Sequence, residues 1–188
     1  MSNETTTRQT PINGVDTDRI IYLATQMSEV LNYGEFKFRA ENHWVVGTYS
    51  NTKIKGFYAG QHEQMERREA LVVESDQPCF LGGKNIAPNA MEHYLNSLTS
   101  CLNATIVAHA SVRKISIASL RIFAEGQMNA AGFFGVSKSE VRGFQKIKVI
   151  IDAGIETSKE TLQELISFSP VYEMVSKAIP VDLQINLN

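Results

Sequence analysis

The sequence predicts an α+β domain in which helices pack on an antiparallel sheet. Three observations support this prediction: a long helical pattern in the middle of the chain, β-rich runs on both sides of it, and a second helical pattern before a final strand. The 188 residues are enough for one domain with a sizeable core, and they contain no internal repeat or low-complexity tract.

Composition excludes several classes of protein. Hydrophobic residues make up 43% and charged residues 20% of the chain, and the formal net charge is −2, so neither nucleic acid nor an anionic membrane is expected as a partner. No apolar run is long enough to span a membrane, and the N-terminus lacks the apolar core of a secretory signal. Two cysteines are too few for a disulfide scaffold or a zinc cage, which predicts a reduced cytoplasmic location without a cofactor.

The long helical pattern, over residues 87–113, holds the best chemical lead in the sequence. Its apolar residues recur at helical spacing, and Asn89 with Glu92 forms a capping box that satisfies two backbone donors at its start. Cys101 falls in the middle of this helix among small or polar neighbours. A thiol with small and polar neighbours is unusual on a buried helix, so Cys101 is the first candidate for a reactive residue.

The segments before the long helix predict a polar tail, a helix and a strand meander. Residues 1–34 are interpreted as the tail and an N-terminal helical extension, with the helix over 15–33, and residues 35–188 as the domain. Asn51 and Thr52 are predicted to form a turn between two of the strands. The four predicted strands are 36–41, 44–49, 53–58 and 69–74.

The segments after the long helix predict a strand pair, a second helix and a last strand. Strands are expected over 116–125 and 143–152, with the glycine-rich residues 126–142 as a loop or hairpin insert. A capping box at 157–160 opens the second helix, which the Ser169-Pro170 dipeptide interrupts before a short helical turn. Clean alternation after Pro180 predicts a closing strand.

Two segments resemble the OsmC-like family, which includes osmotically inducible proteins and organic hydroperoxide resistance proteins. One is Leu81-Gly-Gly83 followed by Ala-Pro-Asn-Ala-Met-Glu92 and a helix that carries Cys101; the other is the helix, Pro-Val pair and closing Pro-Val strand over 157–181. The resemblance covers residues 36–188. The N-terminal helix lies outside the minimal family domain and is similar to an extended subgroup.

The resemblance implies an OsmC-like fold, with antiparallel sheets packed on a long central helix, and an intertwined homodimer with active sites at the subunit interface. It also implies that a first cysteine attacks the hydroperoxide and becomes a sulfenic acid, which a second cysteine resolves as a disulfide. Cys101 matches the first cysteine, but Ser169 stands where the second is expected. Because serine cannot form a disulfide, an external thiol would have to act as the reductant.

The candidate catalytic residues are therefore Cys101 and Glu92, each with a simpler alternative. Cys101 is either a reactive thiolate or a small inert packing residue. Glu92 either orients an arginine or only caps the helix. By the resemblance, an arginine from the N-terminal part assists the thiolate, and the candidates are Arg39, Arg67 and Arg68.

Helix geometry constrains how these residues combine. Glu92 and Cys101 lie roughly 13 Å apart along a helix and face opposite ways, so one shared site requires a second copy of the chain or a break in the helix. Cys79 is either a substitute resolving thiol or an incidental residue. His93 and His109 lie about 80° to either side of Cys101 on the helical wheel, which favours core or surface histidines over a metal site.

Three functions remain open at this point. The first is a thiol-dependent peroxide reductase with Cys101 as nucleophile. The second is a non-catalytic dimer that binds a small hydrophobic ligand in its interface pocket. Phe133, Phe134 and Tyr172 either line an apolar pocket or are core residues. The third is a purely structural stress-associated dimer.

Overall fold

The structure is a computed structural model that describes residues 11–188, so residues 1–10 of the predicted tail lie outside the described residues. The described chain forms two compact units. The N-terminal unit is Tyr22–Asn96, and the C-terminal unit comprises the residues up to Ile21 together with Ser97–Asn188. Within residues 11–188, no helix is both long and apolar enough to cross a membrane.

Helices and strands occur in the order that an α+β fold requires, which confirms the predicted fold class. The helices are α1 (Thr17–Glu29), α2 (Ala90–Val112), α3 (Ala130–Phe133), α4 (Lys159–Ser167) and α5 (Pro170–Ala178). The strands are β1 (Glu41–Val46), β2 (Tyr49–Ile54), β3 (Phe57–Ala59), β4 (His62–Gln64), β5 (Leu71–Ser75), β6 (Ile117–Met128), β7 (Phe144–Ile155) and β8 (Val181–Leu187).

The N-terminal unit contains a three-stranded sheet in the order β1-β2-β5 and a β3-β4 hairpin, all antiparallel. The turn predicted at Asn51 and Thr52 is wrong, because both residues pair inside β2. The chain turns instead at Gly47, whose φ of 59° suits glycine and costs other residues more. The predicted strand over residues 36–41 is reduced to a single bridge between Lys37 and Tyr58.

The loop between β5 and α2 is built around the buried carboxylate of Asp76. Asp76 accepts hydrogen bonds from the Thr48 hydroxyl at 2.7 Å and from the backbone N–H groups of Gln77 at 2.8 Å, Lys84 at 3.0 Å and Ile86 at 3.5 Å. These donors, the Thr48 hydroxyl first, hold the pKa of Asp76 below its usual value although burial opposes them. One side chain thus fixes the path of a ten-residue loop.

The two glycines of this loop have separate structural reasons. Gly82 has a φ of 83°, the left-handed conformation that favours glycine after the 3-10 turn Cys79–Leu81. At Gly83 a Cβ atom would lie 1.9 Å from the backbone oxygen of Gln77, so any larger residue would push the loop apart. The Gly-Gly pair therefore permits the tight approach to the start of α2.

The C-terminal unit contains a sheet in the order β6-β7-β8. β6 and β7 are antiparallel, as the sequence predicted, whereas β7 and β8 are parallel, a pairing that the sequence did not predict. The difference arises because α4 and α5 connect β7 to β8, and a helical crossover of this kind returns the chain in the same direction.

The core of the C-terminal unit combines one side of α2 with one face of β7. The α2 residues recur every fourth position, and the β7 residues alternate with more exposed neighbours, as the two periodicities require. The fully buried residues of these two elements are Leu98, Leu102, Ile106, Ala110, Ile147, Val149, Ile151 and Ala153.

Residues 126–142 were predicted to form a loop or hairpin insert, but β6 continues to Met128 and the short helix α3 follows. Gly126 remains in the strand, paired with Ile147. A Cβ atom at Gly126 would lie 2.3 Å from the ring of Phe144. Glycine is present there to accommodate this ring and does not mark a turn.

The segment before α1, which belongs to the C-terminal unit, is anchored to α2 and β6 by Asn13. Its amide group donates to the Ser111 hydroxyl at 3.1 Å and to the Ile115 carbonyl at 2.9 Å, and its carbonyl oxygen accepts from the Ile117 N–H at 3.0 Å. Three satisfied bonds to one side chain hold the end of α2 and the start of β6 together. The predicted division of the chain after residue 34 stays a prediction.

We expect Asp76→Asn to lower the free energy of unfolding, because one carboxylate acceptor becomes an amide donor facing N–H groups. Since the folded pKa lies below the ordinary 3.8, this stabilisation is complete above that value and is lost as the pH falls through the folded pKa. The stability gap between wild type and variant should therefore narrow below about pH 3.8 in urea unfolding. The exposed control Glu66→Gln should leave stability unchanged; an equal effect of both variants would contradict the assignment.

Candidate functional site

The start of α2 carries the predicted capping box. The Asn89 side-chain oxygen accepts from the N–H groups of Met91 at 2.8 Å and Glu92 at 3.0 Å, and the Glu92 carboxylate accepts from the Asn89 N–H at 2.8 Å. Glu92 thus has a capping role at this end of the helix. Because α2 runs without interruption to Val112, a break in the helix does not bring Glu92 to Cys101.

Cys101 lies on α2 beside the buried stripe and is partly exposed. The hydroxyl of Ser169 donates a hydrogen bond to its sulfur, with the Oγ and Sγ atoms 3.2 Å apart. Ser169 is completely buried, and its oxygen also accepts the backbone N–H of Tyr172 at 3.3 Å. The two residues that stand where the resemblance implies a pair of cysteines are therefore in direct contact.

The junction of α4 and α5 explains why Ser169 reaches this position. Phe168 is the C-cap of α4, Ser169 is the N-cap of α5, and Pro170 occupies the first position of that helix. Proline suits this position because its missing N–H would have no helical partner. The predicted interruption at Ser169-Pro170 is confirmed, and the segment after it is a full helix of nine residues.

A second set of contacts supports the junction. Arg113, just after α2, makes a bidentate ion pair with Glu164 of α4, with N–O distances of 3.0 and 2.8 Å. The ring of His109 stacks on Phe168 with centroids 4.3 Å apart, and the Arg113 guanidinium lies 5.9 Å from the same ring. Phe168 is thus held on α2 directly beside Ser169.

Burial and neighbouring charges shift the pKa values of several groups near the α4–α5 junction. Burial, followed by the nearby Arg113, lowers the pKa of His109, while Glu164 opposes this shift. The hydrogen bonds from Arg113 lower the pKa of Glu164. Burial raises the pKa of Tyr172. His109 is therefore neutral at physiological pH and acts as an aromatic surface for Phe168.

The arginines proposed to assist Cys101 belong to the N-terminal unit, as does Glu92, whereas Cys101 belongs to the C-terminal unit. Arg39 makes a bidentate ion pair with Glu63, with both N–O distances at 2.8 Å. Arg67 donates to a backbone carbonyl at 3.3 Å, and Arg68 is exposed. The assignment of an assisting arginine stays a prediction.

The remaining sequence candidates lie in both units. Cys79 is an exposed free thiol in the N-terminal unit. Phe133 and Phe134 are exposed and contact each other edge to face at 5.1 Å, so neither is a core residue. One ring nitrogen of His93 lies 2.8 Å from the Glu74 carbonyl oxygen. Among residues 11–188, no group of three or more His, Cys, Asp or Glu side chains is arranged to hold a metal.

Sequence reasoning did not find Arg113, Glu164 or Phe168. Arg113 and Glu164 are 51 residues apart, and no local pattern connects them. The one available signal was a basic residue at the end of a long helix, where cations interact favourably with the helix dipole.

A sequence model of the family described as OsmC-like protein matches residues 82–184, which is more than half of the chain. This segment contains α2 with Cys101 and the α4–α5 junction with Ser169. No curated protein matches the chain.

Several solved structures share the fold at low sequence identity. An OsmC-like protein from Mycoplasma pneumoniae has a TM-score of 0.58 at 13% identity and covers 81% of this chain and 96% of its own. An organic hydroperoxide resistance protein OsmC from Legionella pneumophila has a TM-score of 0.53 at 19% identity, covering 80% and 97%. An organic hydroperoxide resistance protein from Elizabethkingia anophelis, with thiocyanate bound, has a TM-score of 0.54 at 19% identity, covering 81% and 96%.

We expect His109→Gln to weaken the pH dependence of stability. The folded pKa of His109 lies below the ordinary 6.5, so the stability it confers is complete above that value and is lost as the pH falls through the folded pKa. The variant should lose less stability than wild type in chemical unfolding as the pH falls below about 6.5. His62→Gln, at an exposed position, is the control, and equal pH profiles for wild type and His109→Gln would contradict this account.

Proposed function

The chain belongs to the OsmC-like protein family, and we propose that it reduces organic hydroperoxides with Cys101 as its single reactive thiol. The observation that supports this most is the 3.2 Å contact between Cys101 Sγ and Ser169 Oγ, which joins the two positions where the family is expected to carry its cysteines. With serine at the second position, an external low-molecular-weight thiol acts as the reductant, and a reduced cytoplasm would supply it.

The proposed cycle has three steps. The Cys101 thiolate attacks the peroxide, the O–O bond breaks, an S–O bond forms, and the alkoxide leaves with a proton from water as an alcohol. An external thiol then attacks the sulfenic acid and releases water, leaving a mixed disulfide on Cys101. A second external thiol attacks this disulfide, which restores the Cys101 thiol and releases the oxidised reductant.

The surroundings of Cys101 suit an organic substrate. The sulfur is partly exposed, so a small molecule can reach it. Its hydrogen-bond partner Ser169 directly follows the aromatic residue Phe168 in the sequence. Phe168 is 48% exposed, which leaves apolar surface for an alkyl or aryl group. The similar proteins from Legionella and Elizabethkingia are both named for resistance to organic hydroperoxides.

We further propose that the active form is a homodimer in which a partner supplies groups that this chain does not bring to its own Cys101. The unbroken α2 keeps Glu92 about 13 Å from Cys101 on the opposite side of the helix, so a second copy is the remaining way to combine them. Every residue of β1 is exposed, including Trp44, Val45 and Val46. Three apolar side chains left this open favour coverage by another chain.

The alternative function is a non-catalytic dimer that binds a small hydrophobic ligand. It is favoured by the ring stack of Phe36, Phe38 and Phe57 in the N-terminal unit, where Phe36 and Phe38 have centroids 5.8 Å apart and Phe38 and Phe57 5.7 Å apart. Phe38 is 77% exposed. A ligand retained in native mass spectrometry, together with an unreactive Cys101, would favour this alternative.

We expect Cys101 to be oxidised to sulfenic acid by an organic hydroperoxide much faster than a free thiol, as followed by mass spectrometry. Cys101→Ser should abolish peroxide consumption in the presence of an added dithiol, because no thiolate remains at the site. Cys79→Ser is the matched control and should retain activity, since Cys79 is an exposed free thiol that the proposed cycle does not use. A Cys101 rate no better than that of a free thiol would exclude the peroxidase.

We expect light scattering to give the mass of a dimer at working concentration. Val45→Lys, on the exposed strand β1, should weaken the dimer because it places a charge in an apolar interface. Lys138→Glu, at an exposed polar position of the C-terminal unit, is the control and should leave the mass unchanged. A wild-type monomer would count against the proposed interface site.

A further inference from the structure

We infer that Ser169 is a catalytic residue whose hydroxyl stabilises the negatively charged sulfur of Cys101 and then holds its sulfenate until an external thiol arrives. The stabilisation of the thiolate depends only on the contact between the two side chains. The second part rests on the proposed peroxidase function. The serine at this position therefore contributes to the site although it cannot form a disulfide.

The hydrogen-bonding capacity of Ser169 supports a donor role. A serine hydroxyl has one proton to donate and two lone pairs to accept with. One lone pair accepts the backbone N–H of Tyr172 at 3.3 Å, as the N-cap of α5, and the proton is directed at Cys101 Sγ 3.2 Å away. Because Ser169 is completely buried, water does not compete for this proton. The donor is therefore fixed before any substrate binds.

The contact between Ser169 and Cys101 lies at the N-terminus of α5, which also favours negative charge on the sulfur. Ser169 caps α5, a helix of nine residues, so the sulfur lies near the positive end of a helix dipole, where negative charge is favoured. The carboxylate in the first turn of α5, that of Glu173, forms its own ion pair with Lys177. A hydrogen bond to a charged acceptor is also stronger than one to a neutral acceptor, so this contact strengthens when the sulfur carries negative charge.

The same hydroxyl determines how the oxidised sulfur is reduced again. A cysteine at this position would attack the sulfenic acid, form a disulfide and release water within one chain. Serine has no thiolate with which to attack, but it can still donate to the oxygen or sulfur of the sulfenate. The second step of the cycle then becomes bimolecular, and its rate rises in proportion to the concentration of the external thiol.

The first test is the rate at which iodoacetamide alkylates Cys101 at neutral pH, measured by mass spectrometry in wild type and Ser169→Ala. The variant lacks the hydroxyl that donates to the attacking sulfur, and a hydrogen bond to a charged group is worth more than one between neutral groups. We therefore expect alkylation about threefold slower in the variant. Cys79 on the same molecule is an internal reference whose rate should not change.

The control variant is Ser158→Ala, because Ser158 caps α4 as Ser169 caps α5, with its oxygen 3.2 Å from the Thr161 N–H. Ser158→Ala removes a helix cap without touching Cys101, so it shows how a general loosening of the fold changes the alkylation rate of Cys101. Loosening would raise this rate, whereas loss of the hydrogen-bond donor lowers it. Ser169→Thr, which keeps the hydroxyl, should restore the wild-type rate.

The second test is Ser169→Cys, which does not depend on the stability of the alanine variant. Treatment with one equivalent of an organic hydroperoxide should give a disulfide between Cys101 and the introduced thiol, seen as a loss of these two thiols while Cys79 stays free. In wild type the same treatment should give a sulfenic acid whose removal rate is proportional to the added thiol. Oxidation of Cys101 without a disulfide in Ser169→Cys would overturn the inferred geometry.

The outcomes separate this inference from the proposed function. Equal alkylation of Cys101 in wild type and Ser169→Ala overturns the donor role, even if wild type consumes peroxide. Slower alkylation in Ser169→Ala, combined with a wild-type Cys101 that peroxide oxidises no faster than a free thiol, supports the donor role for the thiolate and overturns both the peroxidase and the role of Ser169 in holding a sulfenate.

Discussion

The burial of one side of α2 is the constraint on which the rest of the site depends. Leu98, Leu102 and Ile106 are completely buried, which fixes the rotation of the helix about its axis. Cys101 precedes Leu102 by one residue, or about 100° around the helix, so its thiol must lie at the edge of the buried stripe. The edge is where a side chain can contact a buried partner such as Ser169 and still be reached from solvent.

Local patterns explain what the sequence predicted well. The capping box of Asn89 and Glu92, the helical stripe behind Cys101 and the alternation of Val181–Leu187 each involve neighbours within a few residues. Such patterns can be recognised in a sequence because helix and strand periodicities depend on residues that are only a few positions apart. The interruption at Ser169-Pro170 was predictable for the same reason, since proline restricts its own backbone and that of the residue before it.

Long-range pairings explain what the sequence did not predict. The ion pair of Arg113 and Glu164 joins residues 51 positions apart, and the acceptor role of Asp76 depends on a hydroxyl 28 residues away. Gly126 was misread for a related reason. Its role is to accommodate the ring of Phe144 across a strand pair, whereas glycine in a sequence more often signals a turn. A single chain does not display which distant side chain will fill such a space.

The parallel pairing of β8 has a consequence for the order in which the molecule assembles. Parallel strands need a crossover, and here α4 and α5, which supply Ser169, are that crossover. The contact with Cys101 closes a loop of 68 residues, so it carries the loop-closure entropy and slow formation typical of high contact order. In a nascent chain, α2 is therefore complete while its thiol still lacks the serine. The contact between Cys101 and Ser169 therefore forms only after the whole helical crossover has been synthesised.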